Sequence, residues 1–302
     1  MQHLSMIMCE DIFAFSHFKE SSMNNDRPLP LCRLHRLKVT RVDKKGIWLD
    51  AGELPAHLPL REAPNTAPGE ELEVFLFQVI PGELQATLRP PLAQAGEFVV
   101  LKVKSVSPHG AFLDWGLAKD LLVPLSLQPE RMQVNGRYLV KVDVDSQGRP
   151  FGNACIDECL DRSRPELAEG DAVELTVWQL TGMGAKVIVD NRYPGMLYQD
   201  ELPEGSYPGM RISGYLKRIR EDGKLDVTLH RTGAAGVTDA REAILQTLAA
   251  NGGSLPLHDN SPPEEIKRIL GMSKKTFKKA VGGLYKNGLL KLTDGAIELK
   301  RR

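Results

Sequence analysis

Asp143 and Asp145 stand two apart in "RYLVKVDVD", which puts both carboxylates on one side of a strand, where they could hold a divalent cation. Two carboxylates at a strand end are more ordinary as a solvated face. Cys155 and Cys159 have three residues between them and no second cysteine or histidine cluster to complete a zinc site. The seven histidines are scattered, with no His-Glu-x-x-His pattern and no serine or cysteine at a readable spacing. "TGMGA" at 181–185 lacks the third glycine and the lysine of nucleotide-binding loops. These residues predict no catalytic group, no metal, no cofactor and no small-molecule substrate.

A different chemistry is suggested by aromatic residues set two places after a glycine. Trp48 follows Gly46 and shares its side of the strand with Asp50, while Ile47 and Leu49 take the other side. Phe112 follows Gly110 and shares its side with Asp114, opposite Ala111 and Leu113. A large aromatic commonly fills a core, but an aspartate is rarely buried unpaired, so the alternation favours a solvent-facing ring in both places. Such rings suit stacking on the bases of a single strand. Lys186 occupies the matching place after Gly184 and would offer a phosphate contact instead. Tyr198 suits either use, and Tyr193 reads as a loop aromatic. Arg33, Arg36, Lys38 and Arg41 add charge beside Trp48, although a solvated strand explains them equally well. Trp115 and Trp178 fall on the apolar register of their strands and are expected in the core.

The elements that must position these residues repeat three times. "KKGIWLDAGELPAHLPL" from Lys44, "PHGAFLDWGLAKDLLVPL" from Pro108 and "GMGAKVIVDNRYPGMLYQ" from Gly182 each follow a β-rich stretch. Each is followed by a turn dipeptide and another strand (Pro68-Gly69, Asn135-Gly136, Pro208-Gly209), and then by a last short strand. Five short strands with glycine at the sharp bends fit a small closed barrel, in which no edge is left unpaired. The fold class is mainly β with a small α+β C-terminal domain. It comprises three tandem five-stranded OB-type barrels at 30–92, 96–160 and 168–232, then a winged helix-turn-helix at 237–302.

In that last part, Thr238, Ser261 and Ser273 read as helix N-caps, with Glu264 completing a capping box after Ser261. Gly252 and Gly288 read as stops, and Asp294-Gly295 as a hairpin turn. Along "SKKTFKKAVGGLYKN", Phe277, Ala280, Val281 and Leu284 form one stripe. Lys275, Lys279, Gly282 and Lys286 form the opposite one, with Lys278 at its edge. The lysine stripe has no Arg, Asn or Gln to address base edges. It reads as an accessory phosphate-binding surface, with a base-reading helix and a solvated or protein-binding face as alternatives.

The 302 residues carry 39 basic and 39 acidic side chains, so no overall field draws in a polyanion. From Thr238 onward there are twelve basic against seven acidic residues, a net of +5 that leaves −5 for the rest. Four cysteines make no disulfide framework, and no apolar run approaches the ~20 residues of a membrane span, so a cytoplasmic protein is expected. Residues 1–28 read as a disordered leader, or as an overlong gene start with the true beginning near Met23.

Each repeat resembles the ribosomal-protein S-one RNA-binding domain, the second best, as "HGAFLDWG" followed by "DLLVPLS". The order of three such units and a winged helix closed by "GMSKKTFKKAVGGLYKNGLL" is similar to the YitL family, also called conserved virulence factor B. That resemblance implies single-stranded RNA as partner and a bacterial regulator of gene expression. It implies an RNA face at the residue before the glycine (Lys45, His109, Met183), the residue two after it (Trp48, Phe112, Lys186), and the following strand (Pro59, Pro124, Tyr198). The family carries aromatics at the first two positions and a histidine at the third, and no repeat here keeps the full set. DNA, the ribosome or another protein stay open as partners of the winged helix, which leaves a transcription regulator or an interaction scaffold as alternative functions.

Overall fold

The computed structural model describes residues 28–300 apart from positions 81 and 232, so the reading of the leader falls outside the described residues except for Pro28. The first barrel contains β1 (Arg33–Asp43), β2 (Gly46–Leu49), β3 (Ala56–Leu58), β4 (Glu71–Ile80) and β5 (Glu83–Thr87), closed in the order β1-β2-β3-β5-β4. The second contains β6 (Phe98–Ser107), β7 (Gly110–Asp114), β8 (Leu121–Pro124), β9 (Arg137–Val144) and β10 (Pro150–Asn153). The third contains β11 (Ala172–Thr181), β12 (Gly184–Val189), β13 (Tyr193–Tyr198), β14 (Arg211–Ile219) and β15 (Leu225–Thr228). All three close with the same strand order.

Alternation builds each core: Val39, Ile47, Leu49, Leu58, Val74 and Leu76 point into the first barrel while their neighbours point out. The glycine that opens the second strand of each barrel is required by backbone, since Gly184 has φ 138° and a Cβ there would collide with the Leu197 carbonyl oxygen. Gly110, at φ 154°, faces the Val123 carbonyl in the same way. Gly184→Ala is therefore expected to destabilise the third barrel by about 1–3 kcal/mol. Amide hydrogen exchange in β12 and β13 would show it, and unchanged protection would refute it.

The barrels are joined by packed seams. Phe75, whose neighbours Val74 and Leu76 face inward, points out of the first barrel into a cluster with Trp115 and Leu117 of the second. The Phe75 and Trp115 rings meet edge to face at 5.8 Å. Cys32 lies in the same cluster, and burial pushes its thiol up to about 12. Its carbonyl accepts from the Ala95 N–H at 2.8 Å, so backbone as well as side chains cross from barrel to linker. Trp115 is 2% exposed, as its apolar register predicts, although its core is a seam between barrels.

The second and third barrels meet through Phe98, Ile188 and the short helix α1 (Ile156–Cys159) with Leu160, against which Trp178 is partly buried. Trp178, expected in the core, is only partly buried. It lies on the seam instead, because Val173, Leu175 and Val177 face the barrel interior and alternation puts Trp178 on the outer side, just where the β11–β12 register shifts between Val177 and Gln179. Asn191 of the third barrel donates to the Gly96 carbonyl at 2.9 Å and accepts from the Phe98 N–H at 3.2 Å.

The C-terminal domain contains α2 (Gly233–Ala250), β16 (Ser254–Leu255), α3 (Pro263–Leu270), α4 (Lys274–Lys286), β17 (Leu290–Leu292) and β18 (Ile297–Leu299), with sheet order β16-β18-β17. Ile244, Leu248, Ile266, Phe277, Val281 and Leu284 form its core. Ser273 caps α4 by accepting from the Thr276 N–H at 3.2 Å. The other two caps differ from expectation. Helix α2 starts at Gly233, which puts Thr238 inside it. Pro262 takes the N-cap place of α3 without a side-chain bond, because the Ser261 hydroxyl accepts instead from the His258 N–H at 2.9 Å.

Candidate nucleic-acid interface

Cross-strand register sets one row of outward residues around each barrel. In the first, Arg41, Trp48, His57, Gln85 and Phe77 stand opposite one another on successive strands. In the second the row is Ser105, Phe112, Leu122, Phe151 and Asp143. In the third it is Gln179, Lys186, Met196, Asp226 and Arg218. Trp48, Phe112 and Lys186 thus occupy equivalent places. The far members of each row, such as Gln85 and Phe77 in the first barrel and Phe151 in the second, depend on pairings between distant segments.

Trp48 is half-buried on the outside of the first barrel. Its indole N–H donates to Asp43 at 3.1 Å, the Arg41 guanidinium lies 5.0 Å from the ring centroid, and His57 meets it edge-on at 5.2 Å. Hydrogen bonding from the Lys45 backbone N–H, the Trp48 indole and the Gly46 N–H holds the Asp43 carboxyl below the usual range. Arg41 assists by charge, at 3.1 Å from the same carboxylate. His57 Nε2 lies 2.9 Å from the Lys45 carbonyl, which ties the β1–β2 turn to β3. Arg41, Asp43, Lys44, Lys45 and Trp48 line a shallow groove of about 570 Å³. The expected pair Lys45 and Trp48 is therefore brought together, with Arg41, Asp43 and His57 as additional members. His57 escapes a sequence reading because β3 is only three residues long, too short for its alternation to mark a strand.

In the second barrel His109 is exposed and Phe112 half-buried. Phe112, Leu122 and Phe151 share the outer face on β7, β8 and β10, and the two phenylalanines are separated only by the leucine. Asp143 pairs with Lys141 at 3.1 Å and Asp145 with Arg149 at 2.8 Å. Among the described residues no cluster of His, Cys, Asp or Glu could hold a metal ion.

The third barrel departs from the others. Lys186 is exposed, with its ammonium 4.9 Å from the centroid of the Trp178 ring. Two places on, Ile188 stands where the first two barrels have Asp50 and Asp114, and it is 0% exposed because it is packed against the second barrel. Tyr193, expected in a loop, opens β13 and is 8% exposed in the barrel core, with Arg192 over its ring at 5.0 Å. The turn lies one step earlier, at Asp190 and Asn191, which have φ 48° and 56°.

Tyr198 is half-buried, and its hydroxyl accepts from Arg220 at 2.7 Å. Arg220 and Arg218 also donate to Asp226 at 2.7 and 2.9 Å. Burial opposes the charge on Asp226, and these two arginines outweigh it, holding the carboxyl below its usual range.

In the winged helix, Lys275, Lys278, Lys279 and Lys286 are all exposed along α4, and Lys278 reaches Asp259 at 3.3 Å. Tyr285 is exposed on the same helix. The Arg241 guanidinium from α2 packs directly against Gly283, so the helix pair uses one of the two glycines for close approach.

Residues 33–89 match the S1 domain, and residues 242–299 match the CvfB-like winged helix domain. YitL of Bacillus subtilis is 28% identical over 234 residues, covering 75% of this chain and 78% of that protein. Conserved virulence factor B of Staphylococcus saprophyticus is 25% identical over 242 residues, covering 78% and 81%. This chain thus resembles the YitL and conserved virulence factor B proteins over about three quarters of its length. A solved multidomain protein with nucleic acid binding domains from Streptococcus pneumoniae matches 90% of this chain and 99% of its own, at 23% identity and a TM-score of 0.39. The S1 domain match falls on the barrel that holds Trp48, and the CvfB-like winged helix match spans all four lysines of α4. No helix among the described residues is long and apolar enough to cross a membrane.

Proposed function

We propose that this protein is a non-catalytic, post-transcriptional regulator that binds single-stranded RNA by base stacking and phosphate contacts. The S1 and CvfB-like winged helix domains are of nucleic-acid-binding types, which supports a binding role over catalysis. The observation that carries the reading is the Trp48 cluster: a half-buried indole on an outer barrel face, flanked by Arg41, Lys44 and Lys45 in one groove. A ring offers a sequence-tolerant platform for a base, and the cations offer phosphate partners. Phe112, Leu122 and Phe151 extend apolar surface over the second barrel. Lys275, Lys278, Lys279 and Lys286 add charge without base-reading side chains.

The test is fluorescence anisotropy of the full chain against single-stranded RNA, single-stranded DNA and duplex DNA over a salt series. Tightest binding to single-stranded RNA is expected, and tighter binding to duplex DNA would overturn the reading in favour of the winged helix as a DNA reader. Replacing Lys275, Lys278, Lys279 and Lys286 by alanine is expected to make the salt dependence for RNA shallower by up to about 2.8, at ~0.7 per phosphate contact. An unchanged slope would remove α4 from the interface.

A further inference from the structure

The row that begins at Trp48 does not end at its groove. It continues over His57 and Gln85 to Phe77 on β4, three strand steps along the row, a path of about 14 Å around the barrel surface. Phe77 lies in a second groove of about 240 Å³, formed where the first barrel meets the β7–β8 loop of the second. Ile80 and Leu117 share its wall, and Arg61, Arg89 and Lys119 surround it.

The groove is built rather than incidental. The Trp115 indole N–H donates to the Lys119 carbonyl at 2.6 Å, which fixes the loop of the second barrel. Glu62 fixes the wall of the first, since its carboxylate accepts from the Thr87 hydroxyl and the Leu88 N–H, each at 2.8 Å. Phe77 stacks on Phe75 of the seam at 6.0 Å and an interplanar angle of 26°, leaving it partly buried and braced from below. Arg61, Arg89 and Lys119 are exposed, and among the described residues none of them forms an ion pair. Glu83 and Glu62 are the acidic members, so the cations outnumber the carboxylates.

We propose that this inter-barrel groove is a second subsite for the strand held at Trp48, with a base against Phe77 and Ile80 and the backbone phosphates against Arg61, Arg89 and Lys119. An aromatic floor with unpaired cations at its rim is the chemistry of single-stranded nucleic acid, and the row from Trp48 supplies continuity. The inference rests on the proposed RNA binding at Trp48 and adds a site made jointly by two barrels.

The experiment uses the full chain and a labelled oligouridylate of about 16 nucleotides, the upper end of the usual span of one OB fold. Anisotropy over a salt series is read for the parent, Trp48→Ala, and Arg89→Ala combined with Lys119→Ala. The same strand carrying 4-thiouridine is photo-crosslinked and its adducts mapped. The double variant is expected to make the salt slope shallower by about 1.4, two phosphate contacts fewer, and adducts are expected between Phe77 and Arg89. If RNA binds and depends on Trp48, but the double variant keeps the parent slope and no adduct maps to the groove, the subsite is overturned while the Trp48 reading stands. Absence of RNA binding by the parent overturns both.

Discussion

Changing Trp48 and Phe112 to alanine together is expected to weaken binding of single-stranded RNA by about 2–6 kcal/mol, from tens-fold to about 10⁴-fold, at ~1–3 kcal/mol per stacked base. The two residues stand at equivalent row positions on different barrels, so no shared contact couples them and their losses should add. Each is half-buried on the outside, so truncation removes a platform and leaves the barrel interiors of Ile47, Leu49, Ala111 and Leu113 in place. Circular dichroism of the double variant should match the parent while anisotropy shows the loss. A change in affinity below about threefold, less than 1 kcal/mol, would mean that bases do not stack on these rings.

Trp115→Ala carries the largest expected effect on stability, about 3–5 kcal/mol for a buried aromatic. The side chain packs edge-on to Phe75 and lies in the cluster that joins the first two barrels. Its loss also leaves the Lys119 carbonyl without its donor. Because the residue belongs to a seam, protection from amide exchange should fall on both sides, in β4 as well as β7. Loss confined to the second barrel would show that the seam contributes little. Trp115→Phe keeps a six-membered ring but removes the pyrrole half with its N–H, leaving a smaller void than alanine does, and is expected to cost less, about 1–3 kcal/mol.

Much of this architecture is legible in the sequence. Glycines at the sharp bends and the alternation after them mark five strands per repeat, and the Phe277, Val281 and Leu284 stripe marks the helix that the core of the last domain requires. The exposed side of β2 and β7 is also legible, since an aspartate two places past the aromatic forces that face outward. Register between distant strands is not. Gln85, Phe77 and Phe151 join the rows only through parallel and antiparallel pairings that no local pattern encodes. Trp178 follows the alternation of Val173, Leu175 and Val177 and faces outward despite its apolar side chain, and two consecutive positive-φ residues move Tyr193 from loop to strand. Ser273 behaves as its residue type suggests. Ser261 does not, because a competing backbone N–H at His258 takes its hydroxyl.

Ile188 makes the three copies non-interchangeable. A duplicated module whose outer face has become apolar and covered is committed to one neighbour, here through Phe98, Leu160 and the short helix before it. Moved to the first position, it would present that isoleucine to water, and the first module moved to the last would press Asp50 into an apolar seam. The order of the second and third repeats is thus fixed by the surface chemistry of the seam between them.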